Sequence, residues 1–276
     1  MSVVSGTRAE TLTDVFNRMP EQKRMGVKEV TMDFSDSMRM AVQQSFPNAT
    51  ITVDCFHVVQ LATQALNEMR MKYKRKEQKL DAKKRTEHDK RLKRNNELRK
   101  KRDRLRKAEG RKKSPRGRKP NRANQQYQPE RLGNGDTPVE LLTRSRYLLS
   151  QSRDKWTESQ KDRADIMFSR YPELLEGYEL VNRLRMIFKN TSLSVTQGKD
   201  RLQSWCDEVR QFKSDKMRTV AVTIESRIDD IANYFDMRHT NASAESLNSK
   251  IKGFRSMLRG VSDIEFFMYR VSRIFG

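Results

Sequence analysis

The fold is decided by VKEVTMDFSDSMRMAVQQSFPNATITVDCFH, residues 27–57. Two β-branched runs, Val27–Met32 and Ala49–Val53, each end on an aspartate, Asp33 and Asp54, and such runs read as short strands. Between them Ser35 or Asp36 is placed to cap a helix. Met38, Val42 and Phe46 recur along it at helical spacing, and Pro47-Asn48 turns the chain into the second run. Strand, helix, strand implies parallel strands joined by a crossover. Carboxylates at the ends of such strands lie at the sheet edge, where open α/β sheets bind ligands.

Upstream, Thr7 and Glu10 form the capping-box pattern T-x-x-E, and Leu12, Val15, Phe16 and Met19 follow as a buried helical face that Pro20 ends. Val3-Val4 reads as the end of a further strand. Downstream, residues 58–235 are expected to be helical. Apolar stripes are carried by Val58, Leu61, Ala62 and Leu66, by Leu174, Tyr178, Val181 and Leu184, and by Leu202, Trp205, Cys206 and Val209. Thr137/Glu140 and Thr157/Gln160 repeat the capping box, and Pro172 opens a helix. Residues 110–135, rich in Gly and Pro, read as a linker. Asn241 is placed to cap a helix whose stripe is Leu247, Ile251, Phe254 and Leu258 and whose stop is Gly260. Ser262 and Glu265 then open a last helix.

The net charge of +22 is local. From Lys72 to Arg122 there are 26 Lys and Arg against 7 Asp and Glu, so +19 of the excess lies in this arm. Its apolar stripe fails beyond Tyr73, leaving a long solvated helix or a disordered arm. The concentration of positive charge points to nucleic acid, bound through phosphates and without base reading. Two cysteines without paired spacing fit free thiols in a reducing cytosol. No apolar run approaches a membrane span, and the N-terminus has no signal pattern.

Asp33 and Asp54 are 21 residues apart, one helix and one strand, so they can occupy neighbouring strand ends. Glu245, on a later helix, shares a face with Asn248 and Lys252. Carboxylates gathered this way suit a pair of divalent cations serving in-line phosphoryl transfer. The plainer reading is that both aspartates cap the helices that follow them. A zinc site from Cys55, His57 and Cys206 has no ligand spacing behind it, and Cys206 beside Trp205 reads as core. Asn248 and Lys252 read equally well as a solvated face.

Several words of the chain are more specific. They are Ser5-Gly6-Thr7, Val30-Thr31-Met32-Asp33, Phe46-Pro47-Asn48-Ala49, Asp54-Cys55-Phe56-His57-Val58, Asn134-Gly135-Asp136, Ser145-Arg146-Tyr147-Leu148-Leu149, and the run from Thr240-Asn241-Ala242 through Glu245-Ser246-Leu247-Asn248 to Lys252. Through them the chain resembles transposases of bacterial insertion sequences, the DDE family named after the ISL-three element.

The resemblance implies an α/β, ribonuclease-H-like core over residues 1–57 and 237–276, incomplete at its N-terminus. A helical insertion, 58–236, carrying the basic arm 72–122, interrupts it. It implies Asp33 and Glu245 as catalytic metal ligands, and Asp54 and His57 as the D-x-x-H motif beside them. Asp54 is then a third catalytic candidate, and His57, Asn248 and Lys252 are candidates for DNA contact. Two Mg²⁺ or Mn²⁺ ions would be the cofactors. The family usually has Arg where this chain has Cys55, and its first catalytic aspartate would lie upstream of residue 1. The chain is therefore expected to be truncated and catalytically deficient alone. The partners implied are insertion-sequence ends and target DNA, further copies of the chain assembled on DNA, and a separate N-terminal DNA-binding polypeptide. The place implied is the bacterial cytoplasm, at the nucleoid. A non-catalytic DNA-binding remnant that regulates transposition is the alternative.

Overall fold

The computed structural model describes residues 6–111, 126–258 and 261–275. The strand end expected at Val3-Val4, the linker residues 112–125 and the helix stop at Gly260 lie outside these. The chain is mostly helical around two short strands. In order the elements are α1 (Ala9–Asn17), α2 (Glu21–Met25), β1 (Glu29–Met32), α3 (Asp36–Ser45), β2 (Thr50–Val53), α4 (Cys55–Ala108), α5 (Pro138–Arg144), α6 (Arg146–Ser150), α7 (Glu158–Arg170), α8 (Pro172–Lys189), α9 (Val195–Gln211), α10 (Asp215–Glu225), α11 (Ile228–Ala232), α12 (Tyr234–Met237), α13 (Ala242–Met257) and α14 (Ile264–Phe275). Among the described residues no helix is long and apolar enough to cross a membrane. The chain forms two compact units, Met1–Ala65 with Glu179–Gly276, and Leu66–Tyr178.

In the first unit β1 and β2 pair in parallel, Glu29 opposite Thr50 through Met32 opposite Val53. The crossover α3 begins where Ser35 accepts the Met38 N–H, which satisfies one of the helix's otherwise unpaired donors. Met32, Val42, Phe46 and Ile51 form the core between sheet and helix, with Phe16, Val30 and Met38 packed on it. The outer edge of β2 is not left bare, because the Asn233 amide donates to the Ile51 carbonyl at 2.8 Å. Asp230 pairs with Arg39 at 2.7 Å and Arg227 pairs with Asp36, so α3 is tied to the segment around α11. Against α9, Phe235 stacks on Phe188 with centroids 5.7 Å apart and lies over Gly198, where a Cβ would fall 2.1 Å from the ring.

Three expectations at helix ends and faces are corrected. Thr7 and Glu10 form no capping box: α1 starts at Ala9, so Arg8 takes the N-cap and has no side-chain cap bond. The face of α1 is only half-buried, and Met19 is 39% exposed, beyond the helix's last turn. At α14 the cap is Asp263, whose Oδ1 accepts the Phe266 N–H at 2.9 Å, one position later than Ser262. Phe267 and Val271 are buried there, whereas Ile274 is exposed.

The second unit is built from the capping boxes of α5 and α7, both formed as the pattern requires. Its core gathers Leu66, Leu141, Leu148, Leu149 and Met167, all buried. A layer of Trp156, Phe168 and Tyr178 adds to it, with centroids 5.3 to 6.3 Å apart. Arg70 is buried within it. Its guanidinium donates to the Leu142 carbonyl at 2.5 Å and to the Asn67 side chain at 2.7 and 3.0 Å. Burial, and then the charge of Arg146, lower its affinity for the proton. The helical continuation of α4 lacks an apolar stripe but finds polar partners. Tyr127 donates to Asp81 at 2.7 Å, Tyr171 to Glu77 at 2.8 Å, and Lys84 pairs with Glu130 at 3.3 Å.

Candidate metal centre

The parallel register places Asp33 and Asp54 directly after the last paired residues, Met32 and Val53, and the Asp54 N–H extends the ladder to the Met32 carbonyl at 2.9 Å. The two carboxylates then part. Asp33 is exposed, and its Oδ1 accepts the Ser35 N–H at 2.9 Å. Asp54 is 1% exposed. Its Oδ1 accepts the Phe56 N–H at 3.0 Å at the start of α4, and its Oδ2 accepts the Asn241 N–H at 3.3 Å. The helix-capping role is therefore real for Asp54 alone, through one oxygen; Asp33 closes a turn onto Ser35, and Ser35 is the residue that caps α3.

Glu245 arrives in the first turn of α13, its N–H bonded to the Asn241 carbonyl at 3.0 Å. Asn241 stands at the N-cap but makes no side-chain cap bond; its backbone joins Asp54 to the helix instead. One oxygen each of Asp54 and Glu245 and one ring nitrogen of His57 all lie within 4.8 Å of one another. His57 Nδ1 is 3.5 Å from Asp54 Oδ2, close enough for an ion pair but without hydrogen-bond alignment, and it is a buried polar atom with no partner. Two carboxylates and an unpartnered imidazole nitrogen fit a divalent cation: the oxygens suit Mg²⁺ or Mn²⁺, and the nitrogen is better suited to Mn²⁺.

The loop that delivers α13 is held at several points. Arg238 adopts the left-handed conformation, φ 56°. It donates to the Asn190 carbonyl at 2.9 Å and lies over the Tyr234 and Phe235 rings. Next to it His239 Nδ1 is 2.5 Å from Glu29 Oε2, and Glu29 Oε1 accepts the Thr52 hydroxyl at 2.6 Å. Glu29, Arg238, His239 and the Asn241 N–H were not legible as site residues. Arg238-His239-Thr240-Asn241 reads only as a polar loop, and its partners lie up to 210 positions away.

Asn248 and Lys252 are exposed on α13. The cysteines do not converge with His57. Cys206 is fully buried with its sulfur 3.7 Å from the Ala221 carbonyl, and Cys55 is half-buried, its thiol pushed up mainly by burial. Among the described residues Asp54, His57 and Glu245 form the one group of three metal-ligating side chains this close.

No curated protein and no solved structure gives a significant match to the chain. A family model described as Transposase, the DDE class of the ISL-three element, matches residues 1–130 and 121–271. These segments reach from the first residue to α14 and include Asp33, Asp54, His57 and Glu245. The chain belongs to the ISL-three family of DDE transposases.

Proposed function

We propose that the chain carries the phosphoryl-transfer site of an insertion-sequence transposase, cutting phosphodiesters at element ends and joining them to target DNA. The observation that carries this reading is the convergence of Asp54, Glu245 and His57 within 4.8 Å, from a strand end, the following helix and a helix nearly 190 residues later. Transposases of this class generally use divalent metals, and their substrate is DNA. Asp54 and Glu245 would hold the cation pair, Mg²⁺ or Mn²⁺, with Asp33 supplying a further carboxylate from the neighbouring strand end. Bound there, such ions stabilise the attacking and leaving oxygens of an in-line displacement.

The chain's own residues do the positioning. The Phe56 and Asn241 N–H groups fix the Asp54 carboxylate. His57 adds a ring nitrogen to the cluster, and its Nδ1, 3.5 Å from Asp54 Oδ2, has no hydrogen-bond partner. Asn248 and Lys252, exposed on the helix of Glu245, would contact the DNA backbone. The two parallel strands with their crossover helix support a ribonuclease-H-like core interrupted by helices.

Mn²⁺ binding followed by electron paramagnetic resonance tests the site directly. Asp54→Asn and Glu245→Gln should each weaken it by at least ~10-fold. Unchanged binding in both variants rejects the site. A DNA-dependent phenotype that survives Asp33→Ala and Glu245→Ala favours the second reading, a non-catalytic regulator of transposition.

A further inference from the structure

Helix α4 carries different chemistry on its two sides. The side holding Tyr73, Glu77 and Asp81 is covered, through hydrogen bonds to Glu173, Tyr171 and Tyr127. At about 100° per residue, the opposite arc of the helix runs from Lys72 through Lys79, Lys83, Lys90 and Lys101 to Arg104. It holds thirteen residues between Lys72 and Ala108, of which ten are Lys or Arg and one, Glu97, is acidic. All ten are exposed, and none is ion-paired with a described residue. The acids Glu77 and Asp81 are spent on tyrosines of the covered side. The sorting is thus sharper than the composition of the arm implies.

We propose that this stripe is a docking surface for duplex DNA, contacted through its phosphates and without sequence readout. The inference rests on the reading that this family's chemistry acts on DNA. From Lys72 to Arg104 the stripe extends about 48 Å at about 1.5 Å per residue, which matches about 14 base pairs at about 3.4 Å each. Its cations form a row along the arc, interrupted only at the turns of Thr86 and Glu97, which suits the repeating phosphates of a duplex. No apolar side chain longer than the Ala108 methyl lies on the arc, so it has nothing to insert into a lipid surface. No aromatic lies on it either, so it offers no platform for the bases of a single strand.

The test uses the whole chain and two variants of equal charge change. One replaces Lys79, Lys83, Lys90 and Lys101 by Gln. The other replaces Arg85, Arg99, Arg102 and Lys107, off the stripe, by Gln. Gln keeps a helix propensity close to that of Lys and Arg, so both variants should fold, and circular dichroism checks this. Binding to a random-sequence duplex of about 40 base pairs is measured by fluorescence anisotropy against salt. The stripe variant should lose at least ~10-fold in affinity at about 0.1 M salt, and its log–log salt slope should fall by about 3 to 4, near 0.9 per lost contact. The control slope should fall by less than about 1. Equal losses in the two variants, or no loss in either, overturn the proposal. So does a larger stripe dependence with single-stranded DNA, RNA duplex or phosphatidylserine vesicles. Mn²⁺ binding, read on the same proteins, should be unchanged by the stripe substitutions. A failed metal site and a failed stripe are therefore separable results.

Discussion

The backbone N–H of Asn241 donates to Oδ2 of Asp54 at 3.3 Å, across 187 positions of sequence. Through this bond the helix carrying Glu245 starts at the end of β2, and two carboxylates come to lie within 4.8 Å of each other. Like charges that close repel unless a cation lies between them. The folded chain should therefore be stabilised by divalent cation, in proportion to occupancy. At about 100 times the dissociation constant the gain is about 2.7 kcal/mol. Differential scanning fluorimetry with and without Mn²⁺ should show Tm rising in the natural chain and returning to its starting value with a chelator. Asp54→Asn and Glu245→Gln should show no rise. An equal rise in all three proteins places the bound metal elsewhere.

Gly198 on α9 carries a second prediction. A Cβ there would meet Phe235 ring atoms at 2.1 to 2.6 Å. The ring cannot swing away freely, because it stacks on Phe188 and carries the Arg238 guanidinium 5.7 Å above it. Gly198→Ala should destabilise by about 1–3 kcal/mol through overpacking, even though Ala is the better helix former. Because Phe235 lies beside the loop of Arg238, Mn²⁺ affinity should fall as well. Urea unfolding with m unchanged checks the first effect. A variant as stable as the parent rules out the packing argument.

How much of this was readable follows from how local each cause is. Ser35 and the boxes at Thr137/Glu140 and Thr157/Gln160 are contacts within one turn, and they form as their spacing requires. The Thr7/Glu10 and Ser262/Glu265 patterns have the same spacing, but their helices begin one residue later, and a cap displaced by one residue misses its N–H donor. The paired strands and their terminal aspartates follow from β-branched runs split by a capped helix, a local pattern. Which oxygen points where does not: Asp33 turns to Ser35 and solvent, while Asp54 is buried because α13 returns to cover it. The course of α4 is legible only as one of two readings, a long solvated helix or a disordered arm, and it is the helix that forms. Its partners Tyr127, Glu130 and Tyr171 lie 46 to 94 positions away and are polar, so no apolar stripe announces them.

Arg70 gives a third prediction. Arg70 is 3% exposed, and its guanidinium holds the Leu142 carbonyl at the C-terminal part of α5, where helix carbonyls lack intrahelical donors. Arg70→Met keeps much of the volume but leaves that carbonyl buried and unpaired, at a cost of about 1–3 kcal/mol. Arg70→Lys should recover only part of this, since an ammonium cannot hold Leu142 and Asn67 in one plane as the fork does. Thermal unfolding ranks the three proteins. Parity of Arg70→Met with the parent shows that the bond is not what holds α5.

The last prediction concerns alkaline pH. Burial, and then a hydrogen bond to Glu173, push the Tyr73 hydroxyl up from its ordinary 10.0, and burial with a bond to Glu77 does the same for Tyr171. Burial, followed by the nearby Glu225 carboxylate, pushes the Cys206 thiol from 9.0 up to about 12. In each case the folded chain holds a proton that the unfolded chain has released. The unfolded state thus binds fewer protons above pH 9, and stability must fall as pH rises. The contribution is complete below pH 9 and is lost from there toward 12, with the cysteine first and the tyrosines from pH 10. Tyr73→Phe and Tyr171→Phe together remove two of these groups and leave the rings, 5.0 Å apart, to pack as before. The double variant should be less stable at pH 8 by the lost hydrogen bonds, about 1 kcal/mol each, yet decline less steeply between pH 10 and 11. Urea unfolding across that range decides it, and parallel declines in the two proteins would mean that the tyrosines carry none of the alkaline sensitivity.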